Sequence, residues 1–121
     1  MKAIIAGSRT ITDFFVVQKA IEKSVLNITE VVSGCAKGVD KLGEMWADQN
    51  NIPVKRFPAK WEVYGKKAGS IRNREMSEYG DALIACWNLE SPGTQDMITK
   101  MRELGKFVYV HIVVDHKRKE E

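Results

Sequence analysis

The stretch KAIIAGSRTITDFFVVQKAIEKSVL, residues 2–26, changes its hydrophobic period halfway along. It begins as a continuous apolar run, Ala3 to Ala6, that ends on Gly7-Ser8-Arg9. From Phe14 onward the apolar residues Phe14, Val17, Ile21 and Val25 recur three or four positions apart, the spacing of one helix face. This predicts a strand, a glycine loop and then a helix to about Leu26. Thr12 or Asp13 is the N-cap, because a short oxygen-bearing side chain there accepts hydrogen bonds from amides that the first turn leaves unpaired.

The unit then repeats. Glu30-Val31-Val32-Ser33 reads as a second strand, and Gly34-Cys35-Ala36-Lys37-Gly38-Val39-Asp40 leads into a helix carrying Leu42, Met45, Trp46 and Ala47. Residues 52–57 give a third strand, whose Pro53 and paired charges suit a sheet edge. Residues 58–68 read as irregular, and a helix follows from near Ser70 to Tyr79. Asp81 to Trp87 is an apolar strand fit for burial on both faces. Ser91-Pro92-Gly93-Thr94 opens a helix with Met97, Ile98 and Met101 on one side, Gly105 stops it, and residues 107–114 form a fifth strand. Trp46 and Trp87 read as plain core residues. Strands alternating with helices imply an α/β fold: a single three-layer α/β/α domain over residues 1–114 with a five-stranded parallel sheet and right-handed crossovers. Residues 115–121 read as a charged, solvated tail.

Composition agrees with one ordinary core. The 121 residues are 44% hydrophobic and 29% charged, close to the averages of globular chains, which argues against disorder, collagen and coiled coil. No apolar run approaches the roughly 18 residues that a membrane span needs, and no cleavable signal pattern is visible, so no membrane partner and a cytoplasmic location are expected. Cys35 and Cys86 lie far apart, and His111 and His116 fall near the C-terminus; neither a metal site nor a cofactor is expected. The net charge of +3 is unevenly spread. Lys55, Arg56, Lys60, Lys66, Lys67, Arg72 and Arg74 are opposed within residues 55–74 by Glu62 alone, a local excess of +6 that should attract anions.

In parallel α/β sheets, ligands bind outside the carboxyl ends of the strands, where the strand order reverses. The loops at those ends hold Gly7-Ser8-Arg9, then Ser33-Gly34 with Lys37, Gly38 and Asp40, then Ser91, Gly93 and Thr94. Each sets glycine and a hydroxyl at the entry to a helix, where free amides and a partial positive charge favour phosphate. Each is also what any strand-to-helix turn needs for capping. None is a Walker A loop or a G-x-G-x-x-G fingerprint, which disfavours an ordinary kinase or nicotinamide dehydrogenase. Arg72 and Asn73 sit early in the fourth helix. An arginine forks to phosphate and an asparagine can donate and accept to a ribose or base, although a solvated helix face is the competing reading. Trp61 and Tyr64 read first as a lid over the core and second as a platform for a base. Cys35 has no histidine near it in sequence and is not taken as a nucleophile.

The ordered series Gly7-Ser8-Arg9 with Asp13, Ser33-Gly34 through Gly38-Val39-Asp40, Phe57-Pro58-Ala59 with Trp61, Gly69 through Arg72-Asn73 and Met76, Asp81 to Ala85, and Gly93-Thr94 resembles the YspA/cpYpsA-related branch of the SLOG superfamily over residues 2 to about 113. The resemblance implies a compact Rossmann-like domain that binds a nucleotide or nucleotide-derived ligand, in bacterial or phage settings linked to nucleotide signalling. Phosphate or pyrophosphate would then lie on Gly7, Ser8, Ser33, Gly34, Gly93 and Thr94, with Arg72 neutralising its charge.

The same superfamily includes LOG-type phosphoribohydrolases, which cleave the N-glycosidic bond of nucleoside monophosphates. They carry an arginine on the helix before strand four and a P-G-G-x-G-T-x-x-E motif after it. Arg72 matches that arginine by position, and residues 91–96 resemble a shortened motif. Pro92 replaces one glycine of the doublet, however, and Gln95, Asp96 and Met97 stand where glutamates are expected. If the chain were such an enzyme, Asp96 and Arg72 would be its catalytic pair, with Asp40 a second candidate acid. A third reading, binding of single-stranded nucleic acid, follows from the superfamily's DNA-processing protein DprA; a pI of 8.9 makes it the weakest of the three. With nearly all of the 121 residues used by one sheet and its helices, a site would stay open unless a second subunit completed it, which favours binding by a sensor or sequestering protein over chemistry.

Overall fold

The computed structural model describes residues 1–114, so the expected charged tail lies outside the described residues. Five strands form its sheet: β1 (Lys2–Gly7), β2 (Glu30–Ser33), β3 (Val54–Arg56), β4 (Ala82–Trp87) and β5 (Phe107–Ile112). Between them run α1 (Phe14–Ser24), α2 (Val39–Gln49), a one-turn α3 (Trp61–Tyr64), α4 (Ala68–Tyr79) and α5 (Pro92–Glu103). Every pairing is parallel and the order is β3-β2-β1-β4-β5, a Rossmann-like three-layer domain.

The central pair explains the layering. Ala3, Ile4, Ile5 and Ala6 of β1 and all of β4 up to Cys86 are buried, because helices cover both faces. Alternate residues point to opposite sides of a strand. Ala3 and Ile5 therefore join Val17, Ala20 and Ile21 of α1 and Val39, Leu42 and Ala47 of α2 on one face. Ile4 and Ala6 join Met76 of α4 and Met97, Ile98 and Met101 of α5 on the other. The chain passes from β1 through α1, β2 and α2 to β3 in one direction. It then crosses back through α4 to β4, beside β1, and on to β5, so the order reverses between β1 and β4.

Four local readings change. Residues 58–68 are not wholly irregular: α3 and a 3₁₀ turn, Gly65–Lys67, fill most of the stretch, and α4 starts at Ala68 rather than Ser70. The fifth strand ends at Ile112, although the Val113 amide still donates to the Trp87 carbonyl. Trp46 and Trp87 are only half-buried, each packed against the edge of one core, and the Trp87 indole donates to the Ser91 carbonyl at 3.1 Å. Val25 does not extend the apolar stripe of α1. It is the C-cap residue, 86% exposed, with φ of 56°.

A β-branched side chain in the left-handed region costs about 1–2 kcal/mol, a cost glycine escapes. Val25→Gly should therefore stabilise the fold by about 1 kcal/mol, seen as a melting temperature a few degrees higher. A lower melting temperature would mean that the valine is not strained there.

Candidate functional site

Where β1 and β4 part company, the β1–α1 loop and the β4–α5 loop diverge and leave a cavity of about 60 Å³. That is room for roughly four waters, or for a group of phosphoryl size. Gly7, Arg9, Asp40, Arg72, Asn73, Ser91, Gly93 and Thr94 line it, together with Ala6, Ala36, Met76 and Met97, which sequence reasoning did not place at the site. Arg9, Ser91 and Gly93 also border a wide open groove of about 1010 Å³ that continues along Ser8, Ile11, Thr12, Asn88, Pro92 and Val113.

Arg72 is held from two sides. Its Nη1 donates to the Gly34 carbonyl, and its Nε donates to Asn73 Oδ1 at 2.9 Å. Asn73, itself buried, donates through Nδ2 to Asp96 Oδ2 at 2.9 Å and to the Gly93 carbonyl at 3.3 Å. Asp96 in turn pairs with Lys100, whose Nζ also donates to Ser70 Oγ at 3.0 Å. One chain of polar contacts thus ties the β2–α2 loop to α4 and α4 to α5. Among the described residues, nothing bonds to Arg72 Nη2, so the guanidinium reaches the cavity with donor capacity to spare.

Asp40 stands opposite, 5% exposed, with its Oδ2 accepting from the Ala36 amide at 3.1 Å. Burial raises its pKa to about 6, against the pull of that amide and of the positive charge on Arg72. Gly34 lies between the two: a Cβ there would come within 2.8 Å of Arg72 Nη1 and 2.9 Å of Asp40 Oδ2.

Several hydroxyls and glycines of the three loops do structural work. Ser8 Oγ donates to Asn88 Oδ1 at 2.8 Å and accepts from the Asn88 amide at 3.1 Å, which latches the β1 loop to the β4 loop. Ser33 Oγ donates to Glu44 at 2.6 Å and accepts from the Cys35 amide. Ser91 caps α5, accepting from the Thr94 amide and hydroxyl at 3.3 and 3.0 Å. Gly38, at φ of 73°, lets the start of α2 meet the β1–α1 loop, since a Cβ there would lie 2.5 Å from the Ser8 carbonyl. Ser33, Gly34, Lys37 and Gly38 line neither the cavity nor the groove, and Lys37 is exposed. Asp96 also stays off the cavity, engaged with Lys100 and Asn73.

Asn88 is the residue sequence reasoning missed, and its place directly after a buried strand was the available signal. The Asp96 and Lys100 pairing was likewise legible as an i,i+4 spacing. Two expectations about charge and aromatics also change. Glu44 takes Arg56 in a two-pronged contact at 3.1 and 3.0 Å, so part of the local +6 is neutralised from another element. Trp61 and Tyr64 are not a lid over the core but are 52% and 45% exposed. The Cys35 thiol pKa is raised, first by burial and then by the charge of Glu44, which leaves it a poor nucleophile. Among the described residues, no group of three His, Cys, Asp or Glu side chains could hold a metal ion, and no helix is long and apolar enough to cross a membrane.

The profile of the YspA, cpYpsA-related SLOG family matches residues 1–64. Gene 61 protein of Mycobacterium phage D29 is 31% identical over 114 residues, covering 86% of this chain and 90% of that protein. Among solved structures, DNA processing protein A (DprA) from Streptococcus pneumoniae superposes with a TM-score of 0.71 at 20% identity. The match covers 90% of this chain and 49% of DprA, so the chain spans about half the length of that protein and shares its fold. The chain belongs to the YspA, cpYpsA-related SLOG family.

The Asp40 carboxyl titrates near 6 in the folded chain against 3.8 for an unperturbed one. The unfolded state therefore loses its proton first. The contribution of Asp40 to stability falls as pH rises from about 4 to about 6 and stays at the lower level above that. Asp40→Asn keeps an acceptor for the Ala36 amide and carries no charge. It should be about 2–3 kcal/mol more stable than the parent at pH 8 and no more stable at pH 4. Denaturant titrations at the two pH values check this, and a difference independent of pH would contradict it.

Proposed function

From the chain's place in that family and the cavity at the β1/β4 reversal, we propose that it binds a nucleotide or nucleotide-derived ligand, as a sensor or a sequestering protein. The phosphate lies against Arg72 and Arg9, with the first turn of α5 at Gly93 and Thr94 offering amides and a positive helix end. The observation that carries this reading is Arg72. Its Nε and one hydrogen of Nη1 fix its orientation, and Nη2 with the second Nη1 hydrogen is left for a guest. A guanidinium held in this way loses little side-chain freedom on binding an anion.

Melting temperature should rise when nucleoside mono- and diphosphates are added. Ligand at a hundredfold excess over its dissociation constant stabilises the fold by about 2.7 kcal/mol. Arg9 is exposed and, among the described residues, its side chain makes no hydrogen bond, acting on the fold only through its charge near Asp40. Arg9→Ala should weaken the shift without lowering the melting temperature of the free protein, and Arg72→Ala should abolish the shift. No shift with any nucleotide tested would sink the reading.

A second reading, N-glycosidic hydrolysis of nucleoside monophosphates, is supported by one observation: the acid lining the cavity is Asp40, whose pKa burial raises to about 6, closer to the range useful for proton transfer. Asp96 is engaged with Lys100 and Asn73 and does not line the cavity, which favours Asp40 for that role. This reading predicts free base from AMP or CMP on chromatography, lost in Asp40→Asn and retained in Asp96→Asn. Absence of base after long incubation contradicts it. For single-stranded nucleic acid the support is a shared fold with DprA, which is likeness of architecture alone.

A further inference from the structure

Trp61 is a large aromatic side chain that the fold leaves half in water against the first turn of α4, the helix that carries Arg72. It lies on α3, a one-turn helix with no buried residue, and its neighbours Val63 and Tyr64 are 69% and 45% exposed. The outer edge of its indole rests over the first turn of α4. A Cβ built on Gly69 would touch Trp61 Cη2 at 3.4 Å and Cζ2 at 4.0 Å.

Gly69 precedes Arg72 by three residues and Asn73 by four, so all three share one face of α4 on adjacent turns. Side chains on a helix lean toward its N-terminus, and the surface that Arg72 covers lies over the turn that holds Gly69. The indole therefore rests on the turn of α4 next to the one that holds Arg72. Two exposed lysines, Lys66 and Lys67, follow α3 directly and add positive charge beside it.

Trp61 itself stands outside the lining of the cavity. No aromatic residue lines either the cavity or the wide groove, whose apolar wall is Ile11, Val16, Pro92, Val113 and Val114. A purine or pyrimidine binds best where its flat face meets another ring, a contact worth about tenfold or more in affinity.

We propose that Trp61 is the stacking platform for the base of the ligand whose phosphate is held at Arg72. The inference rests on the nucleotide-binding reading and adds the position of the base and a preference for base-bearing ligands over bare sugar phosphates. Trp61 is 52% exposed and makes no hydrogen bond through its indole nitrogen among the described residues, so its replacement should cost the fold little.

The test compares two probes that differ only in the base, AMP and ribose 5-phosphate, by isothermal titration against the parent chain, Trp61→Ala and Trp61→Phe. Melting temperatures of all three proteins report folding. In the parent, AMP should bind at least tenfold more tightly than ribose 5-phosphate. Trp61→Ala should remove most of that advantage while changing ribose 5-phosphate affinity by less than twofold, and Trp61→Phe should restore most of it. The same titration should quench the indole emission of the parent, and the quench should disappear in Trp61→Phe although Trp46 and Trp87 remain. AMP binding that is equal in the parent and in Trp61→Ala overturns the platform and leaves phosphate binding at Arg72 standing. Failure of both probes to bind the parent overturns the reading beneath it as well.

Discussion

The approach of β1 to β4 at Gly7 is the constraint on which the rest of this molecule depends. A Cβ on Gly7 would lie 2.0 Å from the Cys86 carbonyl and 2.8 Å from Val39 Cγ2, so the strand can end there only with a hydrogen atom in that place. The same carbonyl accepts the Ser8 amide at 3.0 Å, and the Ser8 hydroxyl then latches onto Asn88. Two strands far apart in sequence are held together up to their last residues, and the loops that leave them must turn in opposite directions. The cavity is the space that this divergence opens. Gly7, read from sequence as a phosphate-loop glycine, is required in the first place by packing between strands.

A second layer of constraint orients the chemistry. Arg72 on α4 reaches the backbone carbonyl of Gly34 on the β2–α2 loop, and Asn73 beside it reaches the Asp96 carboxylate on α5, so each tie between elements is made by a side chain of α4. Ionised groups half-removed from water are costly unless each has partners, and here Lys100 answers Asp96 while Arg72 faces the buried Asp40. Arg72 and Asp40 share the cavity wall on which the functional reading stands. An anion arriving beside Arg72 meets a carboxyl that burial already biases toward its neutral form, which lessens the repulsion that a full negative charge would impose.

The fold was legible because it rests on short-range patterns. The buried strands read as unbroken apolar runs, the helices as 3.6-residue stripes, and Pro53 with its charges correctly put β3 at an edge. Arg72 and Asn73 could be found as polar residues early in a helix after a basic stretch. The roles of Ser8 and Ser33 could not, because a hydroxyl in a glycine turn serves equally to cap, to latch or to hold phosphate, and only the partner across the sheet decides. Asn88 carries no motif. Arg56 meets Glu44 across two elements, and the exposure of Trp61 depends on how α3 sits on α4. Val25 fitted the helical stripe by spacing, but the helix ends one residue before it.

The central claim is that Arg72, held by Gly34 and Asn73, presents its remaining donors to the phosphate of a nucleotide at the β1/β4 reversal. A crystal structure of the chain grown with AMP tests it most directly. The account predicts a phosphate oxygen at about 2.7–2.9 Å from Arg72 Nη2, with the contacts of Arg72 to Gly34 and Asn73 unchanged. A nucleotide bound elsewhere on the surface, or one whose phosphate faces solvent while Arg72 stays unoccupied, would contradict it.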